Sequence, residues 1–299
     1  MYDIIVIGGG PAGLTAAIYA KRANKSVMVI EKATYGGQIT FSPKVENIPG
    51  FASVTGNEFA EKLVDQALEQ GVDFEYCEAT EIKDGKFKTV VTENGEYETK
   101  AVIIATGAKH RRLGLPNEEK FIGDGISFCA VCDGAFFRDK KVTVIGGGNS
   151  ALQEALQLSE LTEKVYIVQN LGFLTGEAAL QAQVNAKDNI EVILSATVKE
   201  ILGADSFKGI VISTEKEDYP LYVDGMFVAI GLIPQNENFA EYLTLDSYGY
   251  ANYGESCTTE NKGIFVAGDC RKKEIRQVAT AAGDGAVAAL AACKYIDTL

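Results

Sequence analysis

Basic side chains are scarce in this sequence of 299 residues. It has 28 Lys and Arg against 41 Asp and Glu, which gives a net charge of −13. Such a chain lacks the excess positive charge with which proteins generally bind nucleic acids or anionic membranes. No apolar run approaches the roughly 18 residues of a transmembrane helix, and no charged and apolar leader precedes the first predicted strand at Tyr2. We therefore expect a cytoplasmic protein that binds neither membranes nor nucleic acids.

Cysteine is also uncommon, with six in the chain. In a reducing compartment six thiols do not form a structural disulfide framework, and a disulfide that does form is usually transient and catalytic. Four isolated cysteines are predicted to be small apolar core residues: Cys77, Cys257, Cys270 and Cys293. Cys129 and Cys132 have the spacing of a redox pair, and Asp133 directly after them could move a proton as their disulfide opens.

The beginning of the chain has the pattern of a dinucleotide-binding βαβ unit. An apolar, β-branched run over 2–7 leads into Gly8-Gly9-Gly10-Pro11-Ala12-Gly13, and apolar residues at helical spacing follow over 14–22. Gly8 suits the tight turn, Gly10 lets a pyrophosphate approach, and Gly13 allows close packing of the helix. Glu31 follows the second strand, where an acid accepts hydrogen bonds from a ribose. The alternative is a glycine-rich turn with no ligand, but strand, glycines, helix and acid agree on a nucleotide site.

A second unit of the same kind begins 138 positions later. The run 140–145 leads into Gly146-Gly147-Gly148-Asn149-Ser150-Ala151, which repeats the Ile-Gly-Gly-Gly of the first turn. Two such units predict an α/β fold of two Rossmann-like, three-layer nucleotide-binding domains. After residues 231–234 the chain is expected to return to the first domain. The predicted domains are 1–113 with 240–299, and 114–239 inserted between them.

The remaining elements are predicted from periodicity and turn residues. The first domain should contain a helix at 57–70, a strand at 72–76, a hairpin over 89–99 bent at Glu93-Asn94-Gly95, and a buried strand over 101–107 that ends in a tight turn. It should end with a strand at 263–267 and a small-residue helix at 277–296. In the second domain we expect a helix at 151–158 and strands at 164–168, 190–194, 209–214 and 226–230.

Six motifs together resemble those of the bacterial low-molecular-weight thioredoxin reductases, over nearly the whole chain. In chain order they are Gly8 to Gly13, Ala105-Thr106-Gly107, Cys129 to Asp133, Gly146 to Ala151, Gly268-Asp269 and Arg276-Gln277. The resemblance implies an FAD-binding domain interrupted by a second Rossmann-like domain that carries the Cys-x-x-Cys motif. It also implies a homodimer, with thioredoxin as the disulfide substrate.

The same resemblance assigns residues to the cofactor and to the redox chemistry. FAD would be held by residues of the first turn and of later loops: Gly8, Gly10, Pro11, Ala12, Gly13, Glu31, Gly37, Gln38, Asn47, Ala105, Gly107, Asp269, Arg276 and Gln277. In the family the second cysteine of the motif faces the flavin and the first attacks the partner protein. Cys132 would therefore be the flavin-proximal sulfur, Cys129 the interchange thiol and Asp133 the acid/base.

The chain departs from the family pattern in its second unit. Gln169 lies 21 residues after Gly148, where an NAD site has a carboxylate for the 2′-hydroxyl and an NADP site has Arg nearby for the 2′-phosphate. Members that use NADPH carry a His-Arg-Arg segment and a further Arg here, whereas residues 165–186 contain no Lys or Arg. A 2′-phosphate would lose charge-assisted hydrogen bonds of about 1.5–3 kcal/mol each.

This departure resembles the subgroup of these reductases that takes electrons from ferredoxin through FAD. An acidic ferredoxin would need a local basic surface, and the candidates are residues 109–112 and 271–273 with Arg276; His110 is expected on that surface and not in catalysis. Two alternatives stay open. One is an NAD(P)H-dependent reductase that binds the nucleotide by altered contacts, and the other is a flavin redox sensor without turnover. In the ferredoxin-dependent reading, the second domain should swing about linkers near 114–116 and 235–242.

Overall fold

The computed structural model describes residues 1–42 and 45–299, which form two compact units. One unit comprises Met1–Lys109 and Ile233–Leu299, and the other comprises His110–Leu232. The α/β fold class is confirmed, but the boundaries fall four and seven residues before the predicted ones at 113/114 and 239/240. The chain passes between the units twice. The two connecting segments pair with each other as short strands, and each boundary between the units falls within one of these strands.

The elements follow the chain in this order. The first unit contains β1 (Tyr2–Ile7), α1 (Pro11–Arg22), β2 (Val27–Glu31), α2 (Gly56–Glu69), β3 (Asp73–Tyr76), β4 (Ala79–Lys83), β5 (Lys88–Thr92), β6 (Gly95–Ile104) and β7 (Ala108–His110). The second contains α3 (Glu118–Phe121), β8 (Ile126–Ser127), α4 (Ala130–Asp133), β9 (Lys141–Ile145), α5 (Asn149–Ser159), β10 (Lys164–Val168), α6 (Ala178–Asn185), β11 (Ile190–Ile193), β12 (Ala196–Leu202), β13 (Gly209–Thr214), β14 (Asp218–Leu221) and β15 (Gly225–Val228). The chain returns through β16 (Leu232–Pro234) and ends with β17 (Ile264–Val266) and α7 (Val278–Ile296). Short 3₁₀ turns cover Gly37–Phe41, Gly134–Phe137, Glu237–Tyr242 and Gly268–Cys270.

The first unit is built on a seven-stranded sheet in the order β3-β2-β1-β6-β5-β4, with β17 also paired to β6. The strands β3, β2, β1, β6 and β17 run parallel, and β5 pairs antiparallel with both β6 and β4. Successive residues of β1 point to opposite faces. Ile4 and Val6 pack in the core formed with α1 and α7, and Ile5 and Ile7 pack in the core on the other face. The parallel strands thus end together at one carboxyl edge.

The second unit has a five-stranded parallel sheet in the order β11-β10-β9-β15-β8 and a three-stranded antiparallel sheet, β12-β13-β14. Val142 and Val144 of β9 pack in one core with the apolar residues of α5. Ile145 and Met226 pack in a separate core with Ile212 of β13. The parallel sheet therefore lies between a helical layer and the antiparallel sheet, which is the predicted three-layer arrangement. Over residues 1–42 and 45–299, no helix is long and apolar enough to cross a membrane.

The four isolated cysteines are core residues. They are unpaired and buried: Cys77, Cys257, Cys270 and Cys293. This confirms the prediction from their spacing.

Candidate active site

Three turns of the first unit meet at the carboxyl edge of its sheet. They follow β1, β6 and β17, which run parallel and therefore end at the same edge. Gly8 has a φ of +112°, and a Cβ there would overlap the carbonyl oxygen of Ala105. Gly268 has a φ of +81°, and a Cβ there would lie 2.7 Å from Cβ of Ala12. The turns are packed so closely that only glycine fits at these two contacts.

Replacing Gly8 with Ala should destabilise the first unit and lower its flavin content. The overlap with a backbone atom costs roughly 1–3 kcal/mol, and the left-handed backbone adds about 1–2 kcal/mol. Gly283→Ala is the matched control, because this exposed glycine in α7 has nothing within 4 Å of its Cβ position. It should stabilise the protein by up to about 1 kcal/mol. Urea unfolding and the ratio of FAD to purified protein measure both effects. A Gly8→Ala protein with wild-type stability would contradict this packing.

The N-terminus of α1 is suited to a pyrophosphate. Gly10 precedes the helix, no side chain caps it, and the first turn contains no acidic residue. Among the residues that the structure describes, only the carbonyl oxygen of Gly36 comes within 4 Å of a Cβ position on Gly10, at 3.9 Å. Free backbone N–H groups and the helix dipole favour an anion at such an end. The space beside Gly10 can therefore receive the phosphates of a dinucleotide.

Glu31 ends β2 at the same edge of the sheet. Its carboxylate accepts hydrogen bonds from the backbone N–H groups of Gly9 and Ala33, both at 2.7 Å. These bonds fix the side chain beside a cavity of about 150 Å³. The polar and glycine residues that line this cavity include Gly8, Glu31, Glu78, Thr106 and Asn238. The position and chemistry of the cavity fit the ribose and adenine end of FAD.

Asp269, in the turn after β17, has a buried carboxylate oxygen, Oδ1, with no hydrogen-bond partner among the residues that the structure describes. Burial raises the pKa of this carboxyl, while Lys273 and Arg276 oppose the shift. Arg276 donates from Nε to the backbone oxygen of Asp269 at 3.4 Å, and its guanidinium lies 4.1 Å from the ring centroid of Tyr250. A buried acceptor without a partner is unfavourable. The hydroxyl groups of the FAD ribityl chain are donors of the kind that this oxygen requires.

Three other residues predicted to hold FAD lie outside the turns at the carboxyl edge: Gln38, Asn47 and Gln277. Asn47 donates from Nδ2 to Oε1 of Gln277 at 3.1 Å, so the structure brings these two distant residues together. Gln38 is exposed on the first 3₁₀ turn. At the carboxyl edge itself lie Gly8, Gly10, Pro11, Ala12, Gly13, Glu31, Gly37, Ala105, Gly107 and Asp269. This set of glycines, helix N–H groups and carboxylates fits FAD.

Cys129 and Cys132 form a disulfide at the start of α4 in the second unit. The backbone N–H of Cys132 donates to Sγ of Cys129 at 3.2 Å. The carboxyl group of Asp133 is buried, accepts a hydrogen bond from Oγ of Ser127 at 2.6 Å on Oδ2, and has no partner for Oδ1 within the described ranges. Burial raises the pKa of Asp133, and the hydrogen bond from Ser127 opposes this shift. The unit therefore combines a disulfide with a buried acid that can hold a proton.

Ser127 is a site residue that the sequence did not reveal. Besides its bond to Asp133, its Oγ accepts the backbone N–H of Cys129 at 3.1 Å. One hydroxyl thus positions both the first cysteine and the acid. β8 holds Ser127 in place, and this two-residue strand pairs with β15. The only signal in the sequence was a small hydroxyl residue two positions before the first cysteine.

The glycine turn of the second unit is covered by the chain that follows β10. Gln169 is 5% exposed, donates from Nε2 to the backbone oxygen of Phe173 at 3.4 Å, and lies so close to Gly147 that a Cβ there would be 2.6 Å from its Cδ. The side chains of Asn149 and Glu177 also pair at 3.0 Å, and Oδ1 of Asn149 accepts the backbone N–H of Glu177 at 2.7 Å. A carboxylate therefore lies beside the N-terminus of α5.

The predicted basic surface at 271–273 is wrong for two of its residues. The side chains of Arg271 and Lys273 are each only 8% exposed and bind Asp284. His110 is half-buried and stacks on the ring of Phe128, with centroids 4.7 Å apart. Burial, together with Arg112, lowers the pKa of His110 to about 4, so this histidine is neutral at pH 7.

Glu154 on α5 should make the stability of the second unit depend on pH. Its Oε2 is buried without a partner in the described part of the chain, and burial raises its pKa from 4.5 to about 8. Between these values the folded protein keeps a proton that the unfolded chain releases. The free energy of unfolding therefore falls as pH rises, by at most about 1.4 kcal/mol per pH unit. Because the residue is only half-buried, the slope should be smaller than this limit.

Glu154→Gln should remove most of that slope and stabilise the protein at pH 8 more than at pH 5. Urea unfolding of both proteins at the two pH values measures the change. Glu160→Gln, which alters an exposed carboxylate next to the end of the same helix, is the matched control and should leave the slope in place. Equal slopes in Glu154→Gln and wild type would contradict the burial of this carboxyl.

Known proteins resemble the chain over its whole length. The family described as pyridine nucleotide-disulphide oxidoreductase matches residues 2–285. A thioredoxin reductase of Listeria monocytogenes is 40% identical over 304 residues, which cover 100% of this chain and 95% of that protein. A thioredoxin reductase of Bacillus subtilis is 39% identical over 303 residues, covering 100% and 96%. The crystal structure of thioredoxin reductase from Streptococcus pyogenes has 40% identity and a TM-score of 0.94, and the match covers 100% of this chain and 99% of that one.

Proposed function

We propose that this chain reduces thioredoxin with electrons from NADPH or NADH. The chain belongs to the pyridine nucleotide-disulphide oxidoreductase family, and within it to the low-molecular-weight bacterial thioredoxin reductases. The family binds FAD, and the carboxyl edge of the first unit has the groups to hold it. The observation that carries the proposal is the Cys129–Cys132 disulfide followed by the buried acid Asp133.

The two cysteines have different roles in this proposal. The thiolate of Cys129 attacks one sulfur of the thioredoxin disulfide, which forms a mixed disulfide and releases the other thioredoxin sulfur as a thiolate. Cys132 then attacks Sγ of Cys129, which frees reduced thioredoxin and restores the Cys129–Cys132 disulfide. FAD, when bound, supplies the two electrons that open this disulfide again. Burial raises the pKa of Asp133, which favours its protonated form, and in this proposal Asp133 gives that proton to a cysteine sulfur as the disulfide opens.

The relatives support a pyridine nucleotide as the donor. The family is described by that nucleotide, and thioredoxin reductases at 39–40% identity match the whole chain. In the proposed reductase, the turn from Gly146 to Ala151 and the N-terminus of α5 receive the pyrophosphate. With no Lys or Arg at 165–186, this site should hold the 2′-phosphate of NADPH weakly.

The contacts at the same turn favour reduced ferredoxin as a second candidate donor. Gln169 is turned inward and Glu177 places a carboxylate beside the N-terminus of α5. That negative charge opposes a pyrophosphate. A plant-type ferredoxin near about −400 mV can reduce a thioredoxin near about −270 mV, with roughly 6 kcal/mol released for two electrons.

Anaerobic reduction of the flavin separates the two donors. The holoenzyme is mixed with NADPH, with NADH or with reduced ferredoxin, and the visible absorbance of FAD is followed. Under our proposal a pyridine nucleotide bleaches the flavin, and Glu177→Gln lowers the nucleotide concentration needed for half-maximal rate. Bleaching by ferredoxin together with no response to either nucleotide would replace the first donor with the second.

Turnover on thioredoxin separates a reductase from a redox sensor. Reduced enzyme is titrated with oxidised thioredoxin, and the thiols that form on thioredoxin are counted. One dithiol should form for each enzyme disulfide. If no thiols form on thioredoxin although the flavin is reduced, the chain is a sensor and the proposed activity is wrong.

The homodimer that the resemblance implies belongs to the same proposal. The chain has a mass of 32.0 kDa. Light scattering of the holoenzyme should give twice this mass, and a monomer across the working concentration range would contradict it.

A further inference from the structure

Three charged side chains that the proposed chemistry does not use are buried together in the first unit. Arg271 and Asp284 are 7% and 9% exposed, and the side chain of Lys273 is 8% exposed. Buried charges are unfavourable unless they are paired and hydrogen-bonded. Neither the fold nor the disulfide chemistry explains why this position contains ions instead of apolar residues.

Asp284, on α7, is the centre of this ion cluster. Its Oδ1 accepts from Nη2 of Arg271 at 2.8 Å, and its Oδ2 accepts from Nε of Arg271 at 3.1 Å and from Nζ of Lys273 at 2.6 Å. Oδ2 also accepts the backbone N–H of Gly268 at 3.0 Å. Burial favours a raised pKa for Asp284, but the bonds from Arg271 and Lys273 outweigh it and lower the pKa. The carboxylate is therefore ionised at pH 7.

The bond to Gly268 links the cluster to the flavin site. Gly268 has a left-handed backbone, lies against Ala12 of α1, and directly precedes Asp269. Arg276 contacts the same turn from its other end, at the carbonyl oxygens of Asp269 and Arg271. Asp284 holds this turn at Gly268 and Arg276 holds it at Asp269. The direction of the Asp269 carboxylate therefore depends on both residues.

The charges of the cluster also reach Asp269. Arg271, Lys273 and Asp284 together carry one excess positive charge, and Lys273 opposes the rise that burial causes in the pKa of Asp269. The cluster is therefore placed to affect the binding of FAD through Asp269.

We infer that Asp284 is a positioning residue for FAD, which fixes the Gly268–Asp269 turn. The inference rests on FAD binding in the first unit and not on the donor or on thioredoxin. Its tests use flavin release, so they give the same answer whether or not thioredoxin is the substrate.

The first test compares Asp284→Asn with Asp3→Asn as holoenzymes. Asp3 lies at the start of β1 and is also ion-paired, with Lys100 at 2.7 Å, so its loss disturbs the same unit away from the carboxyl edge. After dilution, flavin fluorescence should show release from Asp284→Asn at least about tenfold faster than from wild type, which corresponds to the loss of one charge-assisted hydrogen bond. Release from Asp3→Asn should match that from wild type. Wild-type release from Asp284→Asn, or equally fast release from both variants, would overturn the positioning role.

The second test uses Lys273→Met, which removes one cation from Asp284 and leaves the Arg271–Asp284 pair and the bond to Gly268 in place. It serves as the deciding variant if Asp284→Asn does not fold. Its flavin should be released at least about threefold faster than from wild type or Asp3→Asn, because Asp284 is then held by one ion pair fewer. Wild-type release from a folded Lys273→Met holoenzyme would overturn the inference.

Discussion

Cys129→Ser should lower thioredoxin turnover at least about a thousandfold, whichever donor reduces the flavin. The proposed reaction requires a thiolate at this position to form the mixed disulfide, and serine is a far weaker nucleophile at neutral pH. The loss is measured as thiols formed on thioredoxin per enzyme. Reduction of the flavin by its donor should remain intact, because that step does not use Cys129.

Cys132→Ser tests the assignment of roles within the pair. It should stop turnover as completely, but it leaves Cys129 free to attack thioredoxin and removes the sulfur that resolves the intermediate. A covalent enzyme–thioredoxin complex should therefore accumulate with Cys132→Ser and not with Cys129→Ser, as read on a non-reducing gel. Cys293→Ala, at a buried free cysteine, should retain turnover. Accumulation in the Cys129→Ser protein instead would reverse the two roles.

Asp133→Asn should lower thioredoxin turnover by about 10²–10⁴-fold, the usual contribution of a positioned acid or base. Asparagine has nearly the same shape and can keep the hydrogen bond to Ser127, but it cannot supply a proton. In wild type, the rate should fall as pH rises through the raised pKa of Asp133, because the proton is then lost. The variant should be slow throughout and should lack that decline. Stopped-flow measurement of thioredoxin reduction across pH checks both features.

Stability controls separate this effect from unfolding. A raised pKa means that the contribution of Asp133 to stability is present below its ordinary value and is lost as pH rises through the raised one. Asparagine stays neutral, so the variant should be no less stable than wild type at pH 8. Ser127→Ala should move the decline in rate to higher pH, because the hydrogen bond it removes lowers the pKa of Asp133. An unchanged pH profile in Asp133→Asn would rule out the proton-transfer role.

The elements predicted correctly are those whose patterns are local. The first turn combined an apolar, β-branched run, glycines and apolar residues at helical spacing, and the structure has the strand, the turn and the helix. The hairpin was predicted from Asn94-Gly95, and the observed register pairs Thr92 with Gly95. The redox pair was read from spacing alone, and its two sulfurs are bonded.

Three of the strands that escaped prediction have interrupted patterns. The register of β4 shifts between Ala79 and Glu81, and that of β12 shifts between Val198 and Glu200. Each irregularity breaks the two-residue period by which strands are recognised. β14 contains Pro220, which is tolerated because this strand lies at the edge of its sheet.

The ion cluster at Asp284 could not be read from the sequence at all. Arg271 and Lys273 form a basic run with Lys272, and such runs usually lie on the surface. Their burial depends on a carboxylate on a helix 13 residues further along the chain than Arg271. The role of Ser127 also depends on three-dimensional contacts, since its hydroxyl bonds both the carboxylate of Asp133 and the backbone N–H of Cys129.

The paired connecting strands have a consequence for the modular construction of this protein. The backbone N–H of Arg111 donates to the oxygen of Gly231 at 3.0 Å, so the two ends of the inserted unit meet. The backbone N–H of Gln235 donates to the oxygen of Gly107 at 3.0 Å, so the ends of the interrupted first unit meet as well. A turn of a few residues could therefore replace the whole insertion without stretching its host. Each unit therefore has its own closed ends, and the disulfide-bearing unit is a module that its host does not need in order to complete its own sheet.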